Sequence, residues 1–189
     1  MSDDDSITGG TGTDSTYGWA GNDTLCGEAG DDTLLGGPGD DSIDAGAGTD
    51  LIFGGAGNDL VVIAAQNDNI GAILDGGADS DSLLLDMASE FGNPIRTNDL
   101  RTLTFTNFET LGAIAPYQVI QMNADQVTFT SMFVSQDLWR NAFEIFMDTS
   151  LSFSLAGMGF GGFSGLQLLT IIGDDDAENI EAATYGTRI

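Results

Sequence analysis

Asp5, Asp14, Asp23, Asp32, Asp41, Asp50, Asp59 and Asp68 stand at an unbroken interval of nine residues. A carboxylate can act as a base, a nucleophile or a ligand for a hard cation, and its neighbours decide which role it takes. Glycine stands two residues before most of these aspartates, at Gly12, Gly21, Gly30, Gly39, Gly48 and Gly57. Further glycines open the units at Gly9, Gly18, Gly27, Gly36 and Gly54. Such glycines permit a tight turn and leave its backbone carbonyls uncovered. A carboxylate pointing into that turn gives a donor set made only of oxygen, which is what a hard cation selects. A degenerate copy, Gly76-Gly77-Ala78-Asp79-Ser80-Asp81-Ser82-Leu83, follows after a phase slip of four residues and adds Asp81 to the candidate ligands.

Other chemistry has few residues to work with. The chain contains no histidine, so a His-Glu-x-x-His zinc site and a Ser-His or Cys-His pair are excluded. Gly162-Phe163-Ser164-Gly165 runs into Leu166 and is no nucleophile elbow. Paired carboxylates could in principle cleave a glycosidic bond, but the periodic aspartates are already assigned as ligands. The single cysteine, Cys26, falls at a strand position and allows no disulfide. The expectation is a protein that is not an enzyme.

The elements that position the aspartates follow from the same period. Two residues after each comes Ile7, Thr16, Leu25, Leu34, Ile43, Ile52, Val61 or Ile70, apolar in all but one case. The last three residues of each unit therefore alternate and make a very short strand with one face inward. A unit this small cannot bury its apolar residue alone, so units must stack. The chain carries 30 acidic and 4 basic side chains, for a net charge of −26. The basic residues are Arg96, Arg101, Arg140 and Arg188, so the first 95 residues hold no cationic side chain. A compact form of that segment repels itself unless cations condense on it, which excludes nucleic acid and anionic membranes as partners and points to a multivalent metal ion. Disorder is the alternative for so acidic a chain, yet 41% of residues are apolar and recur regularly among the acids. A flexible glycine-rich linker would have no reason to place an apolar residue two after every aspartate.

The unit Gly54-Gly55-Ala56-Gly57-Asn58-Asp59-Leu60-Val61-Val62 resembles the RTX, or hemolysin-type, calcium-binding repeat, Gly-Gly-x-Gly-x-Asp-x-apolar-x, over residues 5–83. The resemblance implies an all-β, right-handed parallel β-roll with two units per turn, and several calcium ions held between loops on the same edge. Asp5, Asp23, Asp41 and Asp59 would line one edge, and Asp14, Asp32, Asp50 and Asp68 the other. Departures are Trp19 and Glu28 at second-glycine positions, Ala45 at a first, and Thr16 at a core position. The unit around Asp68 has lost its glycines, so the resemblance lends its calcium site no support.

Residues 1–85 are thus read as the calcium-binding roll and residues 86–189 as a β-rich, solenoid-like region. Strands are expected at Leu103–Thr106 and Gln126–Thr130, from their alternation. A short helix is expected over Asp137–Met147, where Leu138, Ala142, Ile145 and Phe146 fall at helical spacing. Phe108-Glu109-Thr110-Leu111 resembles segments that follow such arrays, Ser150–Leu169 reads as core or sheet edge, and Gly173–Ile180 resembles a last repeat turn. No apolar run reaches membrane-spanning length and no amino-terminal signal of the secretory kind is visible. RTX proteins leave bacteria by type I secretion on an uncleaved carboxy-terminal signal, which an acidic, lysine-free terminus fits. Two readings stand: a secreted or cell-surface structural protein that assembles head to tail on meeting calcium, and the carboxy-terminal folding and secretion module of a larger toxin, hydrolase or adhesin.

Overall fold

The computed structural model describes residues 3–64, 71–86, 96–114, 118–123, 131–134, 142–146, 159–161 and 168–172. Their strands form three parallel sheets. The first sheet runs, in spatial order, β1 (Ser6–Thr11), β3 (Thr24–Ala29), β5 (Ser42–Asp44), β7 (Leu60–Ala64), β9 (Ser82–Asp86), β12 (Thr110–Ile114), β14 (Ser131–Val134) and β16 (Gly159–Gly161). The second holds β2 (Ser15–Tyr17), β4 (Thr33–Pro38), β6 (Leu51–Ala56), β8 (Ile73–Ala78) and β11 (Thr104–Thr106). The third comprises β10 (Arg96–Asp99), β13 (Gln118–Asn123), β15 (Ala142–Phe146) and β17 (Leu168–Ile172). The chain alternates between sheets in sequence, so over β1–β8 each pair of strands makes one coil of a β-solenoid, about 4 turns in all.

Stacking puts the apolar residue of every unit over that of the unit two before it. In the first sheet Ile7, Leu25, Ile43, Val61, Leu83 and Leu111 pair in succession, and from Leu25 to Leu111 they are buried. In the second, Thr16, Leu34, Ile52, Leu74 and Phe105 do the same. The two columns face each other across the roll and are its core, each side chain touching its own kind one strand spacing of about 4.8 Å above and below. Ala45, Ile63 and Leu85 add a further buried set.

The phase slip is visible in the ladder. Within the array, partners lie 18 residues apart, whereas Asp59 meets Asp81, 22 residues on. Leu60 pairs with Ser82 and Leu51 with Ile73, so the four extra residues fall between β7 and β8, in a connection that leaves both sheets in register. The pairing of β9 with β12 carries the first sheet past the point where the nonapeptide ends. The turn that spans this change places one strand in each sheet, β10, β11 and β12, with a 3-10 turn at Leu100–Thr102 between the first two.

The helix over Asp137–Met147 is overturned in its described part, because Ala142–Phe146 is strand β15, paired with β13 and β17. A five-residue run between two parallel partners takes its conformation from them, and local spacing does not record that. The strand at Leu103–Thr106 is present as β11. Gln126–Thr130, Gly173–Ile180 and most of Ser150–Leu169 lie outside the described residues.

Candidate metal centre

The loops joining the sheets stack into two edges. One carries Asp14, Asp32 and Asp50 just ahead of β2, β4 and β6; the other carries Asp5, Asp23, Asp41, Asp59 and Asp81 ahead of β1, β3, β5, β7 and β9. The two expected edges are therefore present, with one difference. The ladder brings Ala72, not an aspartate, next to Asp50, since the Ile73 N–H donates to Asp50 O at 2.9 Å. Asp68 lies outside the described residues.

Each aspartate divides its two oxygens. Oδ1 accepts the backbone N–H of the aspartate one turn before: Asp5 to Asp23 at 2.7 Å, Asp23 to Asp41 at 2.8 Å, Asp41 to Asp59 at 2.8 Å and Asp59 to Asp81 at 2.8 Å. On the other edge Asp14 donates to Asp32 at 2.8 Å and Asp32 to Asp50 at 2.9 Å. The second oxygen, Oδ2, is buried and has no hydrogen-bond partner at Asp14, Asp23, Asp32, Asp41, Asp50, Asp59 and Asp81. Six of these residues are at most 2% exposed. A buried carboxylate oxygen without a partner costs several kcal/mol, and the segment supplies no Lys, Arg or His to meet it.

The orphaned oxygens converge on the first glycine of each loop. A Cβ built on Gly18 would stand 2.5 Å from Asp23 Oδ2 and 2.7 Å from Gly36 O. On Gly27 it would meet Asp32 Oδ2 at 2.7 Å together with Ala45 O, and on Gly9 both Asp14 Oδ2 and Gly27 O at 3.1 Å. At Gly36 the same place is taken by Asp41 Oδ2 and by Gly54 O at 2.6 Å, and at Gly54 by Asp59 Oδ2 and Gly76 O. Each of these five cradles therefore joins a carboxylate of one turn to a carbonyl of the next, and those at Gly18, Gly27, Gly36 and Gly54 leave no room for a methyl group, whereas the Asp50 loop carries Ala45 at this position. The third glycine of the motif does different work: Gly39 and Gly57 sit at φ 140° and 130°, where an L side chain is strained. Gly12, Gly21, Gly30 and Gly48 share this conformation, so these glycines shape the loops.

The electrostatics agree with an unmet charge. Burial pushes the Asp50 carboxyl up to about 6, and the charges of Asp32 and Asp31 add to it, against the lowering hydrogen bond from the Asp32 N–H. Burial likewise pushes Asp59 up to about 6, with Asp81, Asp41 and Asp40 contributing. Asp41 and Asp81 are raised, again mainly by burial. Among the described residues no three metal-binding side chains gather at one point. The oxygens that meet at each cradle come from one carboxylate and a backbone carbonyl, a set that suits calcium and does not suit zinc.

Sequence reasoning passed over three features. An exposed row, Asp4, Asn22, Asp40, Asn58 and Ser80, runs beside the aspartates, each of the first four accepting the backbone N–H of the next one along. Its alternation of acid and amide keeps the acceptor while halving the charge, and the pairs Asp4-Asp5, Asn22-Asp23, Asp40-Asp41 and Asn58-Asp59 displayed it in the sequence. Glu109 takes the aspartate's place one turn beyond Asp81, accepting the Asp81 N–H at 2.7 Å. Asn107, at φ 58°, presents its carbonyl where the next opening glycine would be.

A parallel β-solenoid with buried, cation-deficient carboxylates in register along both edges is a calcium-binding roll. The family description that matches is the RTX calcium-binding nonapeptide repeat, in 4 copies over residues 1–25 and 27–61, and that segment belongs to it. A comparison with curated proteins gives no match. Among the described residues no helix is long and apolar enough to cross a membrane.

Proposed function

We propose that the chain is a secreted structural protein that folds on meeting roughly millimolar extracellular calcium and then assembles end to end. One observation carries the first part: seven buried Oδ2 atoms lack any partner in the folded roll. Ordering glycine-rich loops costs about 1–2 kcal/mol of backbone entropy per residue, and aligned carboxylates oppose it further. Calcium binding only the folded form shifts that balance by mass action. Asp23, Asp41, Asp59 and Asp81 on one edge, and Asp14, Asp32 and Asp50 on the other, would hold the ions with the carbonyls that face them. At low cytosolic calcium the chain stays threadable for export. Circular dichroism in chelator should show little β-structure, and added calcium should restore it; a β-spectrum indifferent to chelation overturns the reading.

Assembly is supported by the outer edge of β1, which bears no strand among the described residues. Such an edge invites pairing, and a parallel coil stacked on another makes a head-to-tail contact that grows into a filament or ring. Asp5, exposed at that edge, would share an ion across the junction. Asp5→Lys should leave calcium-induced folding intact and abolish large species in light scattering. A wild type that stays monomeric in calcium at high concentration removes the assembly and leaves a folding and secretion module.

A further inference from the structure

Beyond residue 61, where the matched repeats end, the roll still contains a complete cradle. Asp81 is 0% exposed, its Oδ1 accepts the Asp59 N–H at 2.8 Å, and its Oδ2 is buried with no partner. That oxygen lies 2.9 Å from the place a Cβ would occupy on Gly76, and Asn107 O closes on the same place. No nonapeptide supplies Asn107. It sits between β11 and β12 in a left-handed conformation, tied down by its side-chain amide, which donates to Asp75 Oδ1 at 2.7 Å. Two residues on, Glu109 fills the aspartate's place: its Oε2 accepts the Asp81 N–H, while the Glu109 and Thr110 N–H groups donate to Asp81 O at 3.0 and 3.1 Å.

We infer that Asp81 Oδ2, the Asn107 carbonyl and the Gly76 loop form a calcium site at the junction between the repeat array and the segment after it, built half from residues outside the repeat. This inference rests on the calcium reading of the array. The buried, unpartnered Asp81 oxygen is an observation independent of the acidic character of the neighbourhood. The turn of three residues at Asn107–Glu109 does with one carbonyl and one longer carboxylate what a six-residue glycine loop does elsewhere. Binding there clamps Thr104–Leu111 onto the last repeat turn, so calcium orders the first non-repeat strands together with the roll.

Calcium titration by calorimetry, with hydrogen exchange read over residues 104–111 and 24–61, tests it. Two variants address the site. Asp81→Asn removes the carboxylate but keeps an oxygen for the Asp59 N–H. Gly76→Ala fills the cradle at a position that is not left-handed, so the methyl acts through space alone. Each variant should bind one calcium fewer than the wild type, and protection at saturating calcium should fall at 104–111 while persisting at 24–61. An unchanged number of ions in Asp81→Asn, which is nearly isosteric, overturns the junction site. A wild type that binds no calcium fails the array reading instead, so the two failures are separable.

Discussion

At the scale of single residues, the division of labour within each carboxylate decides what a substitution does. Asp41 Oδ1 receives the Asp23 N–H, and its Oδ2 lies in the cradle with Gly54 O. Asp44, three residues on, faces outward, is exposed and only accepts the N–H of Gly46 at 3.1 Å. Asp41→Ala leaves a buried N–H unmet, at about 1–3 kcal/mol, and removes a ligand. It should therefore raise the calcium midpoint several-fold and flatten its cooperativity, while Asp44→Ala shifts it by no more than the scatter of surface changes, about 0.5 kcal/mol. Calorimetry on both variants checks this, and equal damage would show that the ligand register is wrong. The aspartates were legible because a ligand two residues before an inward side chain recurs with the same period as the fold itself. Trp19 and Glu28 were legible only as departures, and the structure gives their physical sense: the backbone keeps the left-handed φ of 76° and 71° that glycine would have adopted freely.

At the scale of strands and loops, columns set the energetics. Thr16 is 7% exposed in the column of Leu34, Ile52, Leu74 and Phe105, and its Oγ1 has no partner. A buried hydroxyl without a hydrogen bond costs about 1–3 kcal/mol. Thr16→Val should accordingly stabilise the calcium-loaded roll by about 1 kcal/mol, read as a higher midpoint in thermal unfolding at fixed calcium. A lower midpoint would mean that the hydroxyl finds a partner in solution. The elements of residues 5–83 were readable because strand and loop are both local, one unit long and repeated. The second half was legible only in part, at β11, for a physical reason. β15 takes its conformation from β13 and β17, which are distant in sequence, and helical spacing at Ala142, Ile145 and Phe146 carried no information about that pairing. The Asn107–Glu109 turn escaped notice because it keeps the stereochemical roles of a loop while discarding its glycines. Its remaining signal was Glu109-Thr110-Leu111, an acid two residues before an apolar side chain.

At the scale of the whole molecule, the raised carboxyls of Asp41, Asp50, Asp59 and Asp81 make protons and calcium rivals for the same oxygens. Asp50 and Asp59 titrate near 6 in the folded, metal-free roll, held up first by burial and then by Asp31, Asp32, Asp40, Asp41 and Asp81. In the unfolded chain they titrate near about 3.9. Between those values the folded form holds protons that the unfolded form has released. The metal-free roll is thus most stable below about pH 4 and loses this contribution as pH rises through about 6. Calcium binding has the opposite slope, because the ligands must be deprotonated first. Lowering the pH from about 7.5 to about 5.5 should therefore raise the calcium midpoint for folding, while in chelator the same change should increase residual β-signal. Circular dichroism titrated with calcium at both pH values reads both effects. A calcium midpoint that does not move between them would mean that the Oδ2 atoms are not the groups that meet the ion. The charge of −26 fits the same picture: with no cationic side chain in the first 95 residues, compaction of the roll depends on counter-ions from solution, and a divalent ion seated between turns neutralises the rows where their carboxylates lie closest.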